Sequence, residues 1–172
     1  MSYAFGHLVG AWCTGKIYEY FSKKNISHTA WFFLLLAGLL PDIDFLLDWI
    51  LGYDIHRTFT HSFIFLGLVT LLVFFMLSIF KHPEKKQCAL LVVLGISTHL
   101  FLDSLFGAGV PLLWPSMLHF SITSGISNLA PQGSAFSGGA AEIGHQLKLT
   151  IIDMAIGTAW IFYLWFKKQI AF

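Results

Sequence analysis

Apolar residues fall into five long runs separated by short polar breaks. The first covers residues 3–22 and ends at Ser22-Lys23-Lys24. After a turn at Asn25 to His28, the second goes from Thr29 to Leu40. It breaks at Pro41-Asp42-Ile43-Asp44 and resumes from Phe45 to Leu51. A proline inside an apolar run kinks or restarts a helix, so the two carboxylates are expected where backbone groups are also free. Gly52-Tyr53-Asp54-Ile55 leads as a loop into His56-Arg57-Thr58-Phe59-Thr60-His61-Ser62. Residues 63–80 are 18 consecutive uncharged residues, the clearest membrane-length segment. Lys81, Lys85 and Lys86 follow, with Pro83 as a turn. In the next run, 88–106, His99 and Asp103 near the far end are the only charged groups. Residues 107–148 are rich in Gly, Ser and Pro and are predicted to be a long loop. Loops of that length in compact domains are usually lids or binding loops. The last run, 149–166, is apolar and aromatic and ends at Lys167-Lys168.

This pattern predicts an all-α, multi-spanning membrane protein with four to five membrane helices and a long loop before the last. Residues 1–172 form one domain, with no repeat and no linker. The first helix carries Lys16 and Glu19, three apart and able to pair on one face. A reentrant or interfacial position stays open for it beside a spanning one.

Composition agrees. The chain is 56% hydrophobic and only 11% charged, whereas soluble domains average about 25% charged residues. A net charge of +1 with no basic stripe argues against a nucleic-acid partner. Cys13 and Cys88 have no zinc-finger spacing and are expected to be reduced thiols. The N-terminus lacks the basic and apolar regions of a cleavable signal peptide, so the mature helices are expected to direct insertion.

Seven of the nine lysines lie in three clusters, 23/24, 81/85/86 and 167/168. If the helices alternate in direction, all three lie on one side, which the positive-inside rule makes cytoplasmic. Distances measured back from these clusters converge. His61 lies 20 residues from Lys81, about 30 Å at a rise of ~1.5 Å per residue. On the same rise Asp103 is about 26 Å from Lys86, Asp42 about 27 Å from Lys24 and His7 about 24 Å from Lys23. Four segments therefore bring a His or an Asp to a similar depth, near the outer leaflet.

The polar groups at that depth are chemically selective. His99 and Asp103, four apart on one helix face, can reach one cation. Asp42 and Asp44, two apart, would point in different directions, so one would bind while the other orients or caps. His56 and His61 bracket a helix start with Arg57, the chain's one arginine, between them. Titratable groups at the lip of a membrane helix are costly unless paired, hydrated or metal-bound. Imidazoles with several carboxylates and no cysteine suit Zn²⁺ or Mn²⁺. The carboxylates exceed what one zinc needs, which suggests two ions bridged by an Asp. Such a pair can hold a phosphoryl oxygen and activate a water, and Arg57 would add a bidentate grip on phosphate.

The ordered set Leu39-Leu40-Pro41-Asp42-Ile43-Asp44, His56-Arg57-Thr58-Phe59-Thr60-His61-Ser62, His99-Leu100-Phe101-Leu102-Asp103 and Gly109-Val110-Pro111-Leu112-Leu113-Trp114-Pro115 resembles the YdjM-like family. These are bacterial inner-membrane proteins described as metal-dependent hydrolases, and the resemblance covers roughly residues 5 to 145. Through that family it implies a distant similarity to zinc-dependent phospholipase C and P1-type nucleases, all-helical enzymes with a three-zinc cluster. The metal ligands it implies are His7, Asp44, His61, His99 and Asp103, with His56 and Asp42 inside matching motifs. Glu142 stands where a further acidic residue is plausible and is read as general acid or base. The phospholipases use the amino group of an N-terminal tryptophan; this chain begins Met1-Ser2-Tyr3, so the third ion is not carried over and one to two ions are expected. The function so implied is hydrolysis of a phosphoester in a lipid or lipid-linked substrate at the outer leaflet of the inner membrane. Two rivals are a metal carrier or sensor without catalysis, and a structural membrane module whose polar groups only hydrogen-bond.

Overall fold

A computed structural model describes residues 4–44, 58–106, 109–116, 118–123, 125–127 and 140–167, with backbone alone at 106, 140–150 and 165. Among these residues five helices carry the fold: α1 Ala4–Ser22, α2 His28–Leu39, α3 Phe63–Ile79, α4 Lys85–Phe106 and α5 Ala140–Phe166. Lys85–Leu105 of α4 is long and apolar enough to cross a membrane, whereas Phe63–Ile79 and Ile151–Leu164 are shorter apolar helices. The expectation of four to five spans therefore rests on the sequence pattern.

α2 and α4 form the central pair, α1 lies across both, α3 packs on α4 and α5 on α1. Small residues set these distances. A Cβ added at Gly95 of α4 would stand 2.6 Å from the Leu34 carbonyl oxygen and 2.8 Å from Ala37 Cβ. One at Gly38 of α2 would stand 2.8 Å from Ala11 Cβ. Close backbone approach through Gly and Ala is how helices associate where lipid removes the hydrophobic drive between them. Around this seam Ala30, Leu34, Leu91, Val92 and Ile96 form a buried apolar core. The outer faces are also apolar. Phe63, Leu68, Leu72 and Phe75 on α3, and Ile151, Met154 and Phe162 on α5, are exposed. Exposed apolar surface of that extent marks a contact with membrane or partner.

The helix ends have local causes. Ser62 caps α3 by accepting from the Phe65 N–H at 3.2 Å. Ser27 caps α2 through the Ala30 N–H at 3.3 Å. Lys23 and Lys81 adopt positive φ just past α1 and α3, the left-handed conformation that commonly ends a helix. Residues 25–27 meet the start of α4, through Ser27 to Glu84 and Gln87 to the Asn25 carbonyl. The first two lysine clusters therefore share one end of the molecule. α5 runs parallel to α1, with Trp12 against Trp160 and Tyr163 at centroid distances of 6.0 Å, so Lys167 lies at that end too. The predicted Lys16–Glu19 pair is present at 3.0 Å.

The predicted loop over 107–148 differs from what is found. Strands β1 (His119–Ser121) and β2 (Gly125–Ser127) pair antiparallel, and α5 already starts at Ala140. Val110 and Phe120 exchange two 3.0 Å backbone bonds, while Ile122 N–H donates to the Ser104 carbonyl at 2.8 Å. These contacts seat the hairpin against the end of α4. Gly109 has φ +98° and an added Cβ would stand 3.1 Å from the Phe120 carbonyl oxygen, so the turn that launches this pairing needs glycine. Ala140-Ala141-Glu142 are good helix formers following Gly138-Gly139, which explains the early helix start.

Candidate metal centre

Four pieces of chain supply the polar cluster at the end opposite the lysines. His7 stands in the first turns of α1. Asp42 closes a 3-10 turn, Leu40–Asp42, that Pro41 imposes after α2. His61 closes a second 3-10 turn, Phe59–His61, just before the Ser62 cap. His99 and Asp103 lie one turn apart on α4. His7, His61 and His99 are fully buried and Asp103 nearly so, while the Asp42 side chain is 29% exposed. Asp42 is thus the opening of an otherwise buried cluster.

The two central carboxylates divide their oxygens between two groups of imidazoles. Asp42 Oδ2 and Asp103 Oδ1 lie 3.7 and 3.4 Å from His7 Nε2. Asp42 Oδ1 lies 3.6 Å from His61 Nε2 and 3.5 Å from His99 Nε2. Asp103 Oδ2 lies 3.4 and 3.8 Å from the same two nitrogens. His61 Nε2 and His99 Nε2 are 3.3 Å apart. Charge-assisted hydrogen bonds between such groups would be about 2.7–2.9 Å. A tetrahedral ion with bonds of about 2.0–2.1 Å holds its ligand atoms about 3.3–3.4 Å apart. The observed spacings fit ligand edges better than hydrogen bonds. One ligand atom each from His7, Asp42, His99 and Asp103 lies within 4.8 Å of the other three.

The remaining ring nitrogens are held from behind. His99 Nδ1 donates to the Gly38 carbonyl at 2.8 Å. That carbonyl is among the last four of α2, which have no helical donor, and Pro41, three residues on, has no N–H to offer. The bond fixes the tautomer and leaves the His99 Nε2 lone pair facing the carboxylates. The His99 ring also stacks on His7 at 3.7 Å between centroids. His61 Nδ1 faces Asp44 Oδ2 at 3.4 Å and Thr60 Oγ1 at 3.0 Å, and Thr60 Oγ1 donates to Asp44. Carboxylates and carbonyls behind a histidine orient metal-binding imidazoles in this way. Burial alone would lower the His61 pKa, but the facing carboxylates of Asp103, Asp42 and Asp44 raise it to about 10. Three aspartates around neutral imidazoles carry a formal charge of about −3, which a divalent cation relieves more fully than one proton.

Of the residues singled out in the sequence, His7, Asp42, His61, His99 and Asp103 come together. Asp44 stands on the far side of His61, outside the ring of converging ligand atoms. His56, Arg57 and the Glu142 side chain lie outside the described residues. The sequence reading passed over Asp153. Its carboxylate accepts from Phe5 N–H at 3.1 Å and Gly6 N–H at 2.7 Å, beside His7. The signal was present: Asp153 is a lone acid in an apolar run, 14 residues before Lys167, or about 21 Å at ~1.5 Å per residue.

Residues 1–171 match the family described as YdjM inner membrane protein. The chain belongs to that family. It is 40% identical over 106 residues to the inner membrane protein YdjM of Escherichia coli strain K12, covering 51% of this chain and 50% of the relative. The same figures hold for YdjM of Shigella flexneri. The uncharacterized protein YvsG of Bacillus subtilis strain 168 is 41% identical over 63 residues, 37% of this chain and 36% of YvsG. The chain spans about half the length, or less, of these curated relatives. No solved structure matches it. YdjM membership supports a place in the inner membrane, which agrees with the apolar outer faces of α3 and α5.

Proposed function

We propose that this YdjM-family chain is a membrane-bound, metal-dependent hydrolase of a phosphoester in a lipid or lipid-linked substrate. The observation that carries the reading is the division of the Asp42 and Asp103 oxygens between His7 on one side and His61 with His99 on the other, at 3.4–3.8 Å. Two carboxylates so placed can bridge two cations. Zn²⁺ suits the nitrogen and oxygen donors, with Mn²⁺ as the other choice. His61, His99, Asp42 and Asp103 would hold one ion. His7 with the same two aspartates would hold the other. When bound, such ions supply Lewis-acid activation of a phosphoryl group and of water.

The protein's own residues would do the rest. Asp44 and the Gly38 carbonyl keep His61 and His99 aimed at the centre. Arg57 would grip phosphate, and Glu142 would serve as general acid or base. A shallow, nearly apolar pocket lined by Ala4, Leu36, Leu39, Leu40 and Ile43 borders Asp42, the charged lining residue among those described. A substrate with an apolar tail and a phosphate head matches that combination. In the membrane the five helices would give four to five spans with the centre toward the outer leaflet. The distant likeness to zinc-dependent phospholipase C belongs to this proposal as well.

A carrier reading needs polar groups along the path from the centre to the lysine end. Among the described residues the core between those ends is Ala11, Leu34, Leu91, Val92 and Ile96, and the Thr14–Thr98 hydroxyl pair at 2.9 Å makes no continuous path. The deciding experiment is metal analysis of purified protein combined with release of phosphorylated headgroup from mixed-lipid vesicles. One to two Zn²⁺ or Mn²⁺ per chain and metal-dependent release are expected. Metal without release would favour the carrier or sensor. No metal after reconstitution would leave the structural module.

A further inference from the structure

Among its described side chains α5 contributes no group to the cluster of converging ligand atoms, yet it carries a buried carboxylate, Asp153, only 8% exposed. An acidic side chain in an apolar membrane helix is costly without a partner. Its partners here are backbone, the Phe5 and Gly6 N–H groups at 3.1 and 2.7 Å. Both belong to the first turn of α1, whose leading N–H groups have no partner inside the helix. A negative charge at that end is also favoured by the helix dipole. The next residue is His7. One turn further along α5, Gly157 leaves room for the Phe5 ring, which an added Cβ would meet at 2.3 Å. The start of α1 is therefore held by a carboxylate and a shaped contact from one helix.

We infer that Asp153 is a positioning residue of the metal centre: it acts from α5 through the first turn of α1 to hold His7 against Asp42 and Asp103. The inference rests on the metal-centre reading. His7 is the one member of the cluster supplied by α1. Its ring is fixed on one side by stacking on His99 and at its backbone by the turn that Asp153 caps. Without the cap that turn loses two of its hydrogen bonds, and the ligand most affected is His7, not His61 or His99.

The test is a cycle on the full-length chain in detergent, titrated with Zn²⁺ and, for its absorption spectrum, with Co²⁺. Asp153→Asn is expected to weaken metal binding about 10–100-fold, the range seen for groups that support a ligand from behind. Its Co²⁺ spectrum should move toward that of His7→Ala. In the His7→Ala background Asp153→Asn should change the affinity less than about twofold, because groups that act through one another are non-additive. Gly157→Ala, which displaces Phe5 and leaves the carboxylate intact, should weaken binding in the same His7-dependent way. It carries the test if Asp153→Asn does not fold. If Asp153→Asn weakens binding equally with and without His7, or if both variants bind like wild type, Asp153 is a plain staple and the inference is overturned. Wild-type protein that binds neither ion would overturn the metal centre and this inference together.

Discussion

Removing His61 and Asp103 singly and together is the sharpest probe of a shared centre. His61 ends a 3-10 turn and Asp103 lies near the end of α4, 42 residues later, yet their Nε2 and Oδ2 atoms stand 3.4 Å apart. Structural zinc sites bind with about 10–16 kcal/mol over four ligands, so each ligand carries on the order of 3 kcal/mol. At 1.4 kcal/mol per tenfold, His61→Ala should weaken its ion about 100-fold. Asp103 faces both His7 and His61, so Asp103→Asn should reduce occupancy of both positions and lose more metal than His61→Ala. Either change alone should abolish nearly all metal-dependent headgroup release. The double variant should then be within about tenfold of Asp103→Asn, because removing one member of a unit already removes its function. Metal content by elemental analysis and headgroup release from mixed lipids are read on the same preparations. Lys86→Gln, exposed at the opposite end, serves as the control with unchanged activity. Losses that multiply independently at His61 and Asp103 would mean two separate structural roles, and the single-centre reading would be refuted.

Three further outcomes are expected. Cysteines placed at the exposed Ile122 or Ile126 should react with an impermeant maleimide from outside intact spheroplasts, and cysteines at 82–86 should not; the reverse would invert the orientation. His61 has its pKa raised to about 10, so without metal it is protonated at pH 8, whereas a ligand must be neutral. Metal binding at pH 8 should therefore release about one proton from it, read calorimetrically as a buffer-dependent enthalpy that His61→Ala reduces; an unchanged dependence would refute the assignment. Gly95→Ala puts a Cβ 2.6 Å from the Leu34 carbonyl oxygen, so it should part α2 from α4 and stretch the His99–Gly38 bond. A cost of about 1–3 kcal/mol should appear as a lower melting temperature and weaker metal binding, and wild-type values for both would contradict the close packing.

Much of the centre was legible because helices are rods of fixed rise. The lysines mark one end of each rod, so His7, Asp42, His61 and Asp103 could be set at one depth by counting alone. Which aspartate faces inward was harder to read. Asp42 ends the 3-10 turn that follows α2 and Asp44 lies just beyond it, and a change of pitch rotates every later side chain. Asp153 escaped notice because its partners are backbone N–H groups, which no residue type in α1 advertises. The hairpin at 119–127 escaped because its pairing depends on Gly109, Val110 and the end of α4, contacts that local composition does not encode.

The order in which the ligands occur along the chain has a consequence for synthesis. His7, Asp42 and His61 are made first, and Asp103, which touches both halves of the cluster, follows 61 residues after Asp42. At ~5–20 residues per second that interval lasts about 3–12 s. During it the early acidic groups have no Asp103 and no His99 to complete their surroundings, and they need water or another partner until those arrive. Arrival of α4 brings the last donors and, through its seam with α2, locks the His99 ring in place. Loading of the proposed metal would therefore be a late event in the life of the nascent protein, gated by the docking of one helix.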